Sequence, residues 1–231
     1  MDKAKRIGIV LFGGTGQRFA SPEPKQFLPC GDHPLMAETL LNLTAMPCFD
    51  ELYIVTLEDY IDETNELIDT YVPQRIKAVI PGGTTRHESV YNALEYLEAI
   101  EEDPNALIAI FDGDRPGIHE QIVEENFLVA EKTGAAVTAI KATDSIFMSS
   151  DGIVVDNYVD RNTVYLAQTP QTFAFHIILE AYRSYEESTT DDASLVRNLG
   201  YPVEIVLGNH DNDKITYPED LVKYLSIRRN L

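Results

Sequence analysis

Cysteine is scarce: Cys30 and Cys48 are the only two in 231 residues, and no Cys-x-x-Cys or partnering histidine spacing accompanies them. A disulfide framework and a structural zinc site are thereby excluded as organising devices, leaving two ordinary thiols. Basic residues are few, 18 against 38 acidic, for a formal net charge of −20. Such a surface repels duplex nucleic acid and anionic membranes, so neither is an expected partner. Long apolar runs are missing too: the stretch around Ile7 to Phe12 is about a third of the ~20 residues a bilayer crossing takes. The opening Met-Asp-Lys-Ala-Lys-Arg leads straight into a strand-like run without the layout of a signal peptide, so a cytoplasmic location is expected. No repeat, low-complexity tract or Ser/Gly linker interrupts the chain, and it reads as one domain over 1–231.

What is present is an apolar fraction of 44%, enough to fill a core. Short β-branched runs alternate with longer amphipathic stretches. Strands are expected at 6–12, 51–56, 75–80, 106–111, 135–140 and 203–207, and helices at 34–45, 59–71, 87–101, 120–132, 175–186 and 191–198. Repeated β-then-α units predict an α/β fold: a largely parallel, twisted sheet with helices on both faces and ligands at the carboxyl ends of the strands. The stretch 143–168 departs from that rhythm. An Asp151-Gly152 turn flanked by β-like 145–148 and 153–155 predicts a projecting hairpin, and exposed Phe147, Ile153 and Tyr158 suit an arm packing on a second subunit, with a simple edge hairpin as the alternative.

Because the average charge is so negative, cations set among glycines carry the most information about an anionic ligand. The first strand runs into Gly13-Gly14-Thr15-Gly16-Gln17-Arg18, with Lys25 following in Pro24-Lys25-Gln26-Phe27-Leu28. Glycines there let backbone N–H groups approach a phosphate, and Arg18 and Lys25 add the charge a triphosphate needs; the alternative is a flexible turn. Neither the third glycine of a dinucleotide fingerprint nor the Lys-Ser/Thr pair of an ATPase loop is present. Gly82-Gly83-Thr84-Thr85-Arg86-His87-Glu88-Ser89 opens a helix, so Thr84 or Thr85 is a candidate cap, while Gly82, Gly83 and Ser89 form a candidate slot for a nucleobase edge. His87 has no evident role. Asp112, first off the fourth long strand, is the candidate Mg²⁺ ligand, and Arg115 can anchor a second anion, whereas Asp114 pairs with Arg115 or faces solvent. Asp191 and Asp192 read as helix-capping acids, and Lys214 sits in a loop that can reach the same phosphates.

In chain order, these strings resemble the cytidylyltransferases typified by 2-C-methyl-D-erythritol 4-phosphate cytidylyltransferase, with the ribitol 5-phosphate enzymes as relatives. The resemblance also rests on Val-Asp-Arg at 159–161, Ala-Gln-Thr-Pro-Gln-x-Phe at 167–173, Thr-Asp-Asp-Ala at 190–193 and Lys-Ile-Thr-x-Pro-Glu-Asp-Leu at 214–221. It implies a Rossmann-like nucleotidyltransferase fold and CMP transfer from CTP to a polyol phosphate with Mg²⁺ and release of pyrophosphate. It further implies a homodimer whose 143–168 arms reach each other's sites. By motif position, Arg18, Lys25 and Lys214 hold the triphosphate, and Asp112 takes Mg²⁺. Phe12, Gly13, Gly14, Gly16, Gly82, Gly83 and Ser89 surround the nucleotide. Arg115, Ser145, Arg161 and Thr169 hold the acceptor, with Arg161 and Thr169 reaching across the dimer.

Three departures from the resemblance stand out: Phe12 replaces a small residue and crowds the base or ribose side, the pair Gly113-Asp114 replaces a small uncharged pair, and Thr84 replaces an acid. The Asp160-Arg161 and 190–193 strings favour the methylerythritol acceptor over the ribitol one. Two rival readings are a nucleotide-dependent oxidoreductase, which lacks its third glycine and ribose-binding acid, and a catalytically silent relative, for which Phe12 and Asp114 are the suspects.

Overall fold

The computed structural model describes residues 3–14, 19, 23–185 and 191–228. In chain order, β1 (Arg6–Phe12) is followed by a short antiparallel pair, β2 (Pro29–Cys30) and β3 (His33–Pro34), and by α1 (Leu35–Ala45). Then come β4 (Glu51–Thr56), α2 (Ile61–Tyr71), β5 (Ala78–Pro81), α3 (Arg86–Ala99), β6 (Leu107–Asp112), α4 (Glu120–Thr133) and β7 (Ala135–Lys141). A small hairpin, β8 (Ile146–Met148) and β9 (Asn157–Val159), precedes β10 (Tyr165–Ala174), α5 (Phe175–Ser184), α6 (Asp192–Asn198), β11 (Glu204–Leu207) and α7 (Pro218–Arg228).

Seven strands form the main sheet in the order β11-β7-β10-β6-β1-β4-β5. β1 lies parallel between β4 and β6, and being covered on both faces it is an uninterrupted apolar run rather than an alternating one. Its side chains still divide by parity. Ile7, Ile9 and Leu11 enter one core with α3, α5 and α6, while Val10 and Phe12 enter the other with α1, α2 and α4. Each fully buried side chain of this size contributes roughly 1.5–3 kcal/mol, so β1 alone fixes the sheet's centre firmly.

Several elements differ from the sequence expectations, each for a local reason. The strand expected from residue 75 starts at Ala78, because Gln74 takes a left-handed conformation (φ 63°) and Arg75 spends its side chain on the Thr44 carbonyl. The second hairpin strand is 157–159 rather than 153–155: Asp151 accepts from the N–H groups of Ile153 and Val154, curling those residues into the turn. The hairpin also ends sooner than 168, since Tyr165 already pairs with Lys141 in the main sheet.

The main-sheet strand missed altogether is β10, which runs antiparallel to both neighbours within a sheet that is otherwise parallel, as the βα rhythm predicts. Its Gln-Thr-Pro-Gln-Thr core is polar and carries a proline, both of which argue against a central strand. The ladder accommodates Pro170 through a register shift between Ala167 and Gln171, and the Thr169–Pro170 peptide is cis. The two carbonyls flanking the cis bond find partners: Thr138 donates to that of Pro170 (2.8 Å) and Asn212 to that of Thr169 (2.7 Å).

Phe12 and Gly113 are one packing unit. A Cβ placed on Gly113 would lie 2.3 Å from the Phe12 ring and 2.7 Å from the Leu11 carbonyl oxygen. Gly113→Ala is therefore expected to destabilise by about 1–3 kcal/mol through overpacking. In a Phe12→Ala background that cost should fall by at least half; equal costs in both backgrounds, measured by urea unfolding, would contradict the pairing.

Candidate active site

β1, β4 and β5 follow one another to one side, after which the chain returns to place β6 on the other side of β1. The crevice beyond the carboxyl ends of β1 and β6 is thus the switch point at which open α/β sheets bind ligands. A cleft of about 200 Å³ opens there, lined by Leu11, Gly13, Gly14, Lys25, Thr84, Thr85, Arg86, Ser89, Asp112, Asp114 and Lys214.

Asp112 is the hub. Its Oδ2 accepts from Lys214 Nζ at 2.9 Å and lies 3.4 Å from Arg115 Nε, and its Oδ1 lies 3.3 Å from Arg86 Nε. Burial alone would raise its pKa, but Lys214, Arg86 and Arg115 together outweigh burial and hold the carboxyl far below the usual carboxylate range. The backbone of Asp112 is fixed as well, its N–H donating to Thr169 Oγ1 at 3.0 Å. Arg86 is oriented from behind by a bidentate pair with Asp192, 2.7 Å in each arm. Asp192 is fully buried and also accepts from Tyr182 Oη at 2.5 Å. Desolvation would lower the pKa of Arg86, but the charge of Asp192 raises it, keeping the guanidinium protonated.

Lys25 and Lys214 approach from opposite ends of the chain. Lys25, at the start of a 3-10 turn, donates to the Ile215 carbonyl (2.9 Å) and to the Asp114 carboxylate, and Lys214 Nζ lies 3.7 Å from the second oxygen of Asp114. Thr39 of α1 donates to the Gly113 carbonyl at 2.8 Å, and the N–H of Ile215 to the Asp114 carbonyl at 2.9 Å, so the Asp112–Asp114 turn is pinned on both sides.

On the opposite wall, Thr85 caps α3 by accepting from the N–H of Glu88 (3.0 Å), as the capping reading expects. Ser89 is buried and donates to the Thr85 carbonyl (2.8 Å) while accepting from the Gly83 N–H (3.1 Å). Gly82 is needed for this closeness, since a Cβ there would meet Ser89 Oγ at 3.0 Å and the Thr56 carbonyl oxygen at 3.1 Å. The Gly83 and Thr84 N–H groups are occupied by Ser89 and Glu88, while Gly13, Gly14, Thr84, Thr85, Arg86 and Ser89 line the cleft.

The structure therefore brings together Gly13, Gly14, Lys25, Ser89, Asp112 and Lys214 from the sequence-derived set. Arg18 and Gly16 lie outside the described residues. The Phe12 ring does not crowd the nucleotide side: it points into the core on the α1 and α4 face, and only its carbonyl, accepting from Gln26 (2.8 Å), belongs to the loop. Arg115 is largely buried and donates to the Asn212 carbonyl at 2.7 Å, so it braces the Lys214 loop more directly than it faces the cleft. Thr169, expected to reach across a dimer, instead supports Asp112 of its own chain. Ser145 and Arg161 stand at the hairpin, exposed and outside the cleft lining, with Arg161 donating to the Thr143 carbonyl at 2.9 Å. Asp114 neither pairs with Arg115 nor faces solvent; it holds Lys25.

Sequence reasoning left Arg86 without a role and assigned Asp192 to helix capping. Asp191 is the cap, accepting from the Ser194 N–H at 3.1 Å, and Asp192 points inward. An arginine three residues before the slot serine, and two consecutive acids where one cap suffices, were the available signals. Asn212, fully buried, joins the Lys214 loop to β10 through Thr169 and was not legible at all.

The depressed Asp112 pKa links the site to acid stability. Its contribution is fully present above the unfolded value of about 4 and is lost as pH falls towards the folded value. The stability difference between wild type and Asp112→Asn should shrink on acidification below about pH 4, as followed by urea unfolding; a pH-independent difference would contradict the network.

The family model IspD, 2-C-methyl-D-erythritol 4-phosphate cytidylyltransferase, matches residues 7–227. The enzyme of that name from Syntrophus aciditrophicus is 38% identical over 225 residues, covering 95% of this chain and 94% of the relative. That from Alkaliphilus oremlandii is 34% identical over 223 residues, covering 95% and 93%. Among solved structures, 4-diphosphocytidyl-2C-methyl-D-erythritol synthase from Anaerococcus prevotii superposes with a TM-score of 0.83 at 28% identity, covering 98% of this chain and 96% of that one. The switch-point cleft, its charged lining and these relationships over nearly the whole chain place it in the 2-C-methyl-D-erythritol 4-phosphate cytidylyltransferase family.

Proposed function

We propose that the protein transfers CMP from CTP to 2-C-methyl-D-erythritol 4-phosphate and releases pyrophosphate, in synthesis of isoprenoid precursors. The observation that carries this reading is the convergence of Lys25 and Lys214 on one side of a glycine-rich loop, against a buried, ionised Asp112. In the reaction, a phosphate oxygen of the acceptor attacks the α-phosphorus of CTP, the bond from that phosphorus to the bridging oxygen breaks, and pyrophosphate leaves with the electron pair. The acceptor phosphate is already anionic, so no general base is required. The obstacle is bringing two polyanions together, which positioning and fixed cations overcome.

Lys25 and Lys214 hold the triphosphate from two sides, with Arg18 joining them by motif position; Gly13, Gly14 and Ser89 supply the polar edge against the base. Mg²⁺ fits the donor set. Asp112 is a buried, ionised oxygen ligand, and its Oδ1 carries only the long 3.3 Å contact from Arg86 among the described residues. A single carboxylate suffices for Mg²⁺, which takes one or two and completes its shell with phosphate oxygens and water. When bound, the ion would neutralise charge developing on the phosphates.

The acceptor is held by Arg161 and Ser145 from the hairpin of a second subunit. In support, β8 and β9 form a sheet of their own, and Ile153 and Tyr158 on that hairpin are 87% and 75% exposed, apolar surface that a homodimer would cover. No helix among the described residues is long and apolar enough to cross a membrane, and the proposed setting is the cytoplasm.

Pyrophosphate release with CTP and Mg²⁺ tests the reading: methylerythritol phosphate should be turned over and ribitol 5-phosphate should not, and the reverse preference would contradict it. Lys25→Ala and Lys214→Ala are each expected to lower kcat by about 10²–10³-fold; loss of Lys214 also strips charge from buried Asp112 and should lower thermal stability, so kcat is compared at a temperature where each variant is folded. Arg161→Ala should raise KM for the acceptor far more than KM for CTP; parallel changes in both constants would remove the hairpin from acceptor binding.

A further inference from the structure

Asp114 is an unexpected group to find in a cleft that receives a triphosphate. Its side chain is 13% exposed and lines the same cavity as Lys25 and Lys214. One oxygen accepts from Lys25, and the other lies 3.7 Å from Lys214 Nζ and has no hydrogen-bond partner among the described residues. The carboxylate thus sits between the two lysines. It cannot simply swing aside with its loop, because the Asp114 carbonyl accepts from the Ile215 N–H at 2.9 Å and Ile215's own carbonyl accepts from Lys25 at 2.9 Å. Two of the three N–H donors of Lys25 are therefore spent inside the protein before any ligand arrives.

We propose that Asp114 is an internal anion that competes with the nucleotide's polyphosphate for Lys25 and Lys214 and so limits how tightly the cleft holds it. The inference rests on the reading of this cleft as a triphosphate site. An entering polyphosphate has to displace the carboxylate from Lys25 and then bear its negative charge at close range, where water screens poorly. The same carboxylate re-pairs with Lys25 as pyrophosphate departs, favouring release. A neutral residue at this position would leave both lysines to the ligand.

The test is calorimetric binding of inorganic tripolyphosphate in metal-free buffer to the wild-type protein and to Asp114→Asn, with Asp114→Ala as a second variant should the first lose cooperative thermal unfolding. Tripolyphosphate carries no base, so the measurement reads the charge competition alone. Removing the carboxylate should tighten binding by about tenfold or more. Unchanged or weaker binding would overturn the proposal, and weaker binding is what a carboxylate that merely scaffolds the lysines would give. The cytidylyl reading is tested separately on the wild type. If CTP and UTP bind equally well, that reading fails whatever Asp114 does, whereas clear preference for CTP with no tightening in the variant removes only the present proposal.

Discussion

One buried carboxylate organises the functional end of this protein. Asp112 gathers Lys214, Arg86 and Arg115, three cations from three separate parts of the chain, and their charges in turn keep it ionised despite burial. Each partner is braced from behind: Arg86 by Asp192, Arg115 by the Asn212 carbonyl, and the Asp112 backbone by Thr169. Cations alone in a cleft would repel each other and scatter. Held on a central anion they form a fixed, desolvated set of charges, the kind of preorganisation that makes electrostatic catalysis effective. On a chain whose net charge is −20, such a set also lets an anionic ligand find a local attraction against the global field.

The other physical theme is compensation. Read residue by residue, Phe12, Gly113 and Asp114 are separate departures from the family pattern. In space they are linked: the Phe12 ring fills the room that a side chain at 113 would need, on the face of the sheet away from the cleft. The Phe12 ring consequently stays out of the cleft lining, and of these three residues it is Asp114 that reaches the cleft, through Lys25. A protein can therefore alter the packing beneath its nucleotide loop without altering the loop's own lining.

Periodicity made the β1-to-β7 half legible, because those strands are continuous apolar runs and their helices carry clear apolar stripes. β1 and β4 have the expected bounds, 6–12 and 51–56. β10 was not legible, since a central strand built from Gln, Thr and Pro is stabilised by side-chain partners from distant segments rather than by its own pattern. The site divides in the same way. Asp112, Lys25 and Ser89 stand at a strand end, a turn start and the first turns of a helix, where position marks them, whereas Lys214 lies in a loop and is marked only by the family-like string at 214–221. Arg86, Asp192 and Asn212 act through three-dimensional partners, and a sequence shows the residue but not the partner.

The charged side chains of the cleft, Lys25, Arg86, Asp112, Asp114 and Lys214, are set to position and neutralise charge. Such a site suits a single direct displacement at phosphorus, driven by placement and fixed charge. The stereochemical course with an α-phosphorothioate analogue of CTP, chiral at the α-phosphorus, tests that claim most directly. One in-line attack by the acceptor phosphate predicts inversion of configuration in the product. Retention would require two successive displacements through a covalent nucleotidyl-protein intermediate and would contradict the account.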